Sequence, residues 1–472
     1  MPAQMRFDRF LKKVGRYNSA ALIEAIAREG AAQTTLHASN GPHGYYEGTT
    51  GVTPWALIEI AREAVVLNVQ DGRTPNDEDV RRLCHHYSEL EDPLGNSPDA
   101  SVAHFMVRTG FEQFRWQISE FEELSRSRAL FVEAASQVPD ATCFTEDAWR
   151  TATGYSVEEI VDVGFFLFVM AGHNLGQTDL EMLTDGRFEP LLAEHPYEQV
   201  TGIVDRLLAA SPRKLRDMDS KADVPRNVME HRFNPLTARP IVQFPDGRRL
   251  TPHPLLILHR ISPAGLYYDR CKEEGFTDQL GPVFEHYVGM HLDLITGAAV
   301  HREVDLGGGR KSVDFIVVLP EVTLLVEVKA TRLTEEARAG LPRFDHDVDR
   351  TLVKAQDQIA TTNEHIDAGH AALGFVPRDR PVRGLIVTLE PYWLARSGFG
   401  GHKPTGPVMT HIAAVRELEA FCASAQNRDV GQAILDFPSE HSNNVVAKAA
   451  DGGDMRNPIL DRNWVRTLQH GP

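Results

Sequence analysis

Asp314, Glu327 and Lys329 interrupt two apolar runs in Ser312-Val-Asp-Phe-Ile-Val-Val-Leu-Pro-Glu-Val-Thr-Leu-Leu-Val-Glu-Val-Lys-Ala330. Runs this rich in β-branched residues predict strands inside a sheet, where an unpaired charge is expensive. Leu319-Pro320-Glu321-Val322 is the natural turn, so the runs predict an antiparallel hairpin in which Asp314 faces Glu327. Directly opposed like charges destabilise a sheet unless something cationic lies between them. Glu327 and Lys329 are two apart and share a face, while Val326 and Val328 point the other way. Two carboxylates and an ammonium on one spot suit a hard divalent cation such as Mg²⁺, which takes carboxylate oxygens, keeps several waters and engages phosphate.

These residues resemble the signature of the PD-(D/E)XK nuclease superfamily, the fold of many restriction endonucleases. That signature is an Asp at one strand and Glu-x-Lys on the next, here Asp314 and Glu327-Val328-Lys329. The resemblance spans residues 262–395, with Val313 where the named motif has Pro. Many members place a Glu on the preceding helix, and Leu280–Leu292 looks like that helix, with Glu285 in the matching place. Members often carry a Gln on the helix after the Glu-x-Lys strand, where Gln356 and Gln358 stand. The resemblance implies a nuclease that hydrolyses phosphodiester bonds with Mg²⁺, for which Mn²⁺ substitutes. Asp314 and Glu327 would be ligands, joined by the Val328 carbonyl and Glu285. Lys329 would orient or deprotonate the attacking water, or stabilise developing charge.

Each candidate has a plainer account. Glu-x-Lys is common and reads equally as an ion pair on a solvated edge; the facing Asp314, the apolar flanks and the preceding helix favour the metal site. Gln356 and Gln358 are otherwise helix surface. Arg310 and Lys311, after Gly307–Gly309, and Arg350 and Lys354 on the following helix are weaker candidates for phosphate contact. A hairpin loop and a solvated helix face explain them as simply. Cys84-His85-His86 lacks a second ligand pair at zinc spacing, and no nucleotide-binding glycine loop is present.

The elements that must hold these residues predict an α+β multidomain chain. Residues 1–232 read as a mostly helical domain, with helical periodicity over Ser19–Gly30, Pro54–Val69, Asn76–Leu90, Val102–Glu133 and Val157–Ala171, and a helical pair over Glu189–Ala210. Start signals stand at Thr53-Pro54, Asn76 and Ser156 with Glu159. Residues 233–261 read as a connecting hairpin turned at Phe244-Pro-Asp-Gly-Arg248. Residues 262–395 read as an α/β restriction-endonuclease-like core with a mixed sheet: a helix over Leu280–Ile295, a strand over Val300–Leu306, the hairpin, a helix over Asp347–Glu364 and a strand over Val382–Leu389. That α-β-β-β-α-β order is what the superfamily core requires. Residues 396–472 read as a helix over Pro407–Ala425 and a loosely ordered tail near 439–453.

Composition bounds the rest. The chain has 472 residues and a net charge of −17, which at first opposes a nucleic-acid binder. The acidity is concentrated, with 31 Asp and Glu against 16 Lys and Arg in residues 1–200. Arg213–Arg260 carries ten basic against five acidic residues, a locally basic approach to the core unless it is simply solvated surface. The acidic first domain therefore predicts protein contacts, a homo-oligomer or a cover over the basic face. The substrate expected is nucleic acid, DNA first; an RNA-directed nuclease and a non-catalytic scaffold are the rivals. A restriction or phage-defence role follows only by analogy of fold. No apolar run reaches bilayer length, and four scattered cysteines suit a reducing cytoplasm.

Overall fold

The helix starts written in the sequence are realised by side-chain caps. Thr53 accepts from the Ala56 N–H ahead of Pro54–Leu67, and capping boxes pair Asn76 with Asp79 and Ser156 with Glu159. The computed structural model describes residues 5–40, 51–91, 102–116, 118–221, 229, 231–339, 343–391, 407–426, 429–435 and 456–468. The expected tail at 439–453 lies outside them. Among the described residues no helix is long and apolar enough to cross a membrane.

One expected helical stretch is broken. Val102–Glu133 divides into Val102–Gln113, a short turn at Phe114–Trp116, then Glu120–Arg128, which continues as a π-turn over Ala129–Ala134. Arg126 and Arg128 are buried, so the inner face of this segment includes charges that an apolar period does not register. The helical pair expected over Glu189–Ala210 forms as Glu189–Glu194 and Tyr197–Ile203, divided at His195-Pro196 because Pro disfavours helix at the preceding residue. It ends as a strand, β1 (Ala209–Ala210), parallel to β2 (Ile241–Gln243). β2 pairs antiparallel with β3 (Arg249–Leu250) across the expected turn, where the Phe244 N–H donates to the Arg248 carbonyl (2.8 Å). This small sheet thus joins residues on both sides of position 232.

Half of the ten basic residues in the expected basic approach are engaged inside the fold. Arg232 pairs with Glu63 and Asp219, Arg260 with Asp269, Arg249 with Asp205, and Arg248 with Asp246 and Glu24. Arg239 donates to the Leu207 carbonyl. These five guanidiniums are engaged within the fold, while Arg213, Lys214 and Lys221 are exposed.

The main sheet is mixed and five-stranded, in the order β10-β9-β8-β7-β4. β4 (Ala299–Arg302), β7 (Phe315–Val318) and β8 (Thr323–Lys329) are antiparallel. β9 (Val382–Thr388) and β10 (Thr410–Ala414) add in parallel beyond β8. Five consecutive buried residues in β8 mean that both faces are covered. On one face Val317, Leu324, Val326 and Val387 share a core with Phe284 and Val288 of the Phe276–Leu292 helix. On the other, Ile316, Leu325 and Ile386 pack with Ala355 and Ile359 of the Lys354–Asp367 helix. Alternation places Asp314, Glu327 and Lys329 on the second face, beneath that helix.

Three expected elements change. The single strand over Val300–Leu306 stops at Arg302; a separate hairpin, β5 (Asp305–Gly307) and β6 (Arg310–Lys311), follows. Gly307, Gly308 and Gly309 turn it with φ of +80°, +62° and +77°, values open to glycine without a Cβ penalty. The expected helix over Pro407–Ala425 begins as β10 and becomes helical only at Val415–Ser424. Thr410 packs onto Gly384, where a Cβ would lie 2.4 Å from its Oγ1, so β10 depends on a bare backbone in β9. The helix over Asp347–Glu364 contains a π-turn at Asp349–Val353.

Candidate active site

The β7–β8 register puts Phe315 opposite Val326 and so, one step on, Asp314 opposite Glu327, as the sequence predicts. The ladder then loses a rung. Hydrogen-bonded pairs alternate from Leu319–Val322, joined by a 3.0 Å bond, through Phe315–Val326. Val313–Val328 would come next. Instead the Val313 N–H donates to Thr362 Oγ1 (3.0 Å), and the Val328 N–H donates to Asp314 Oδ2 (2.7 Å). An extended residue points its N–H and C=O to the same side. The Val328 carbonyl therefore faces the gap filled by Asp314, and Val313 no longer serves as its donor. Asp314 sits at the point where the chain bends out of the sheet.

Glu327 is 1% exposed. Its Oε1 accepts from Lys329 Nζ at 2.5 Å, while Oε2 is buried without a hydrogen-bond partner. Lys329 Nζ also donates to Gln358 Oε1 at 3.0 Å. Burial, then the charge of Asp314, pushes the Glu327 carboxyl up to about 7, with Lys329 opposing. Asp314 is also raised, by burial first, against the Val328 N–H and Lys329. Glu285, on the helix beneath the opposite face, is carried up to about 7 by burial and by the charges of Asp314 and Glu303. Three carboxyls raised together mark a site crowded with negative charge and short of water.

The structure brings together Asp314, Glu327, Val328, Lys329 and Gln358, with Glu285 close enough to feel Asp314. Among the described residues Gln356 makes no hydrogen bond to this group, because two residues along a helix turn it off the face that Gln358 presents. Lys311 Nζ is held by Glu303 Oε2 at 2.5 Å. Arg310, Arg350 and Lys354 are exposed.

Sequence reasoning missed Glu303 and Thr362. Glu303 lies in the mixed polar stretch Val300–Leu306 before the glycines, and its charge reaches both Asp314 and Glu285. Thr362 lies four residues beyond Gln358, on the same helical face, a spacing that would have found it. Its hydroxyl also donates back to the Gln358 carbonyl (2.9 Å), so one side chain sets both the Gln358 turn and the bend at Val313.

The donor set fits a hard divalent cation. It offers carboxylate oxygens from Asp314 and Glu327, a strand carbonyl and an orphaned buried oxygen, with no soft ligand among them. No protein-family model matches the chain, and no curated protein or solved structure does either.

Proposed function

We propose that this chain is a divalent-metal-dependent nuclease of the PD-(D/E)XK type, hydrolysing phosphodiester bonds in DNA. The observation that carries the reading is Glu327 Oε2: a carboxylate oxygen, buried, without a partner, on the residue facing Asp314 across a broken rung. An unsatisfied buried acceptor costs about 1–3 kcal/mol, more when charged, and a cation bound between Glu327 and Asp314 would remove that cost. Mg²⁺ held by Asp314, Glu327 and the Val328 carbonyl would supply a water of lowered pKa and a clamp on phosphate oxygens.

The chain's own residues do the rest. Gln358 Oε1 and Glu327 Oε1 fix the Lys329 ammonium, which leaves its third proton to orient the attacking water or meet charge developing on phosphate. Glu285, carrying a proton near neutrality, can yield it as a cation arrives and then bind or orient metal-held water. The sheet order, with the acid-bearing hairpin inside it and helices on both faces, supports a restriction-endonuclease-like core.

The helical first part is tied to this unit. Arg126 donates to both oxygens of Glu419 (2.7 and 2.5 Å), and Tyr287, on the Glu285 helix, donates to Glu419 Oε1 (2.7 Å). A role for that part in positioning or restraining the nuclease fits this connection, and restriction or phage defence in the cytoplasm is the setting we favour. The test is incubation of plasmid, single-stranded DNA and RNA with the full chain, in Mg²⁺ and in chelator. Cleavage of DNA that needs Mg²⁺ and is lost in Asp314→Asn and Lys329→Met supports the reading. Cleavage of RNA alone favours the RNA-directed rival, and no cleavage with no metal binding favours a scaffold.

A further inference from the structure

Beyond Lys329 the backbone runs only three residues to Arg332, at most about 11 Å when extended. On the neighbouring strand the Leu389 N–H donates to the Lys329 carbonyl (3.2 Å), which brings Glu390 alongside. Arg332 and Arg338 both pair with Glu390; Arg338 Nη2 meets its two oxygens at 2.6 and 2.8 Å. Two guanidiniums therefore share one carboxylate. Their side chains are only 5% and 20% exposed, and the Nε of each is buried without a hydrogen-bond partner. Arg332 Nη1 also donates to the Ala264 carbonyl (3.1 Å). Buried cations are ordinarily paired with matching charge, so two guanidiniums on one carboxylate leave positive charge that calls for an anion.

The surrounding rings suggest which anion. The Arg332 guanidinium carbon lies 4.7 Å from the Tyr267 ring centre and 4.9 Å from that of Tyr268. Arg338 lies 5.5 Å from Tyr268 and 5.9 Å from Phe111. Tyr268 nonetheless remains 44% exposed. The positive field is felt nearby: burial, then Arg115, Arg332, Arg338 and Arg260, hold His259 well below its ordinary value. Arginine favours phosphate and stacks on aromatic faces. Exposed aromatics beside a basic groove are how proteins hold unpaired nucleotides.

We propose that Tyr268, Arg332 and Arg338 form a shelf beside Lys329 that takes an unpaired nucleotide adjoining the scissile phosphate, its base against Tyr268 and its phosphate on the two guanidiniums. The inference rests on the nuclease reading of Asp314 and Glu327, and narrows the substrate to single-stranded or frayed nucleic acid. A purely structural role for the same residues would be a brace, in which the guanidiniums only tie Glu390 to the tyrosines.

The test is fluorescence anisotropy with the full chain, Ca²⁺ replacing Mg²⁺ to prevent cleavage. The probes are a labelled oligothymidylate of about twelve nucleotides and a blunt duplex of equal length. Tyr268→Ala should weaken oligothymidylate binding at least about ten-fold, Tyr268→Phe should restore it, and duplex binding should be unchanged. Arg338→Gln should weaken binding and flatten its salt dependence. Unchanged affinity in Tyr268→Ala, equal losses on both probes, or no oligothymidylate binding by the wild type would each overturn the shelf. Cleavage of the same probes in Mg²⁺ is read separately. If nothing is cut while Tyr268→Ala still loses oligothymidylate, the shelf stands and the nuclease reading falls.

Discussion

Replacing Glu327 by Gln should make the metal-free protein more stable near pH 8, although it removes half of a buried ion pair. The Glu327 carboxyl rises from 4.5 to about 7 on folding because burial and Asp314 outweigh Lys329. At 1.36 kcal/mol per pH unit that is about 3 kcal/mol against folding once the group is ionised. The folded state holds the proton longer than the unfolded state, so wild-type stability is full below about pH 4.5 and is lost as pH rises through about 7. Gln keeps the shape and an acceptor for Lys329 without the charge. Unfolding entropy of about 2.1 cal/mol/K per residue, over 472 residues acting as one unit, gives about 1 kcal/mol per kelvin. Glu327→Gln should then melt about 3 °C higher than wild type near pH 8, and level with it near pH 5. Differential scanning calorimetry in chelator reads this directly. If Glu327 and Lys329 were a structural pair, breaking it would cost about 3–5 kcal/mol. A variant that melts lower than wild type near pH 8 therefore refutes the argument that Glu327 is held in a costly state for a cation.

Mn²⁺ binding should strengthen as pH rises from about 6 to 8, by about ten-fold for each carboxyl near 7 that must lose a proton, Glu327 and Glu285 being those two. Calorimetry in buffers of different ionisation heat should count the released protons, and affinity independent of pH would contradict the assignment. Thr362→Val leaves the buried Val313 N–H without its acceptor and should cost about 1–3 kcal/mol in urea unfolding, whereas Thr362→Ser should cost little. Because the same hydroxyl fixes the bend before Asp314, cleavage should fall in the Val variant and recover in the Ser variant. Arg126→Met strands Glu419 beneath Tyr287 and should destabilise by about 3–5 kcal/mol, while the double variant Arg126→Met/Glu419→Met should recover much of the loss. A double variant as unstable as the single one would mean that packing, not charge, holds the two parts together.

The site was legible where local rules act alone. Strand alternation and a two-sided turn put Asp314 opposite Glu327, and nothing distant intervenes in that register. The helix caps at Thr53, Asn76 and Ser156 were equally local. What escaped depends on contacts far apart in sequence. Thr362 matters because it takes a backbone N–H 49 residues away. β10 is a strand because Thr410 finds Gly384 on β9, although its sequence also continues smoothly into the Val415 helix. Arg232, Arg248, Arg249 and Arg260 add to an apparent basic face because their partners, Glu63, Glu24, Asp205 and Asp269, lie outside residues 213–260. Charge along a sequence reports composition; only the fold decides which charges remain for a ligand.

The claim that Asp314 and Glu327 hold one divalent cation is tested most directly by anomalous scattering from crystals grown with Mn²⁺. The account predicts a single peak about 2.1 Å from Glu327 Oε2 and from an Asp314 oxygen, within reach of the Val328 carbonyl. Crystals that diffract well in saturating Mn²⁺ and show no peak there, with Glu327 Oε2 still unpartnered, would contradict it.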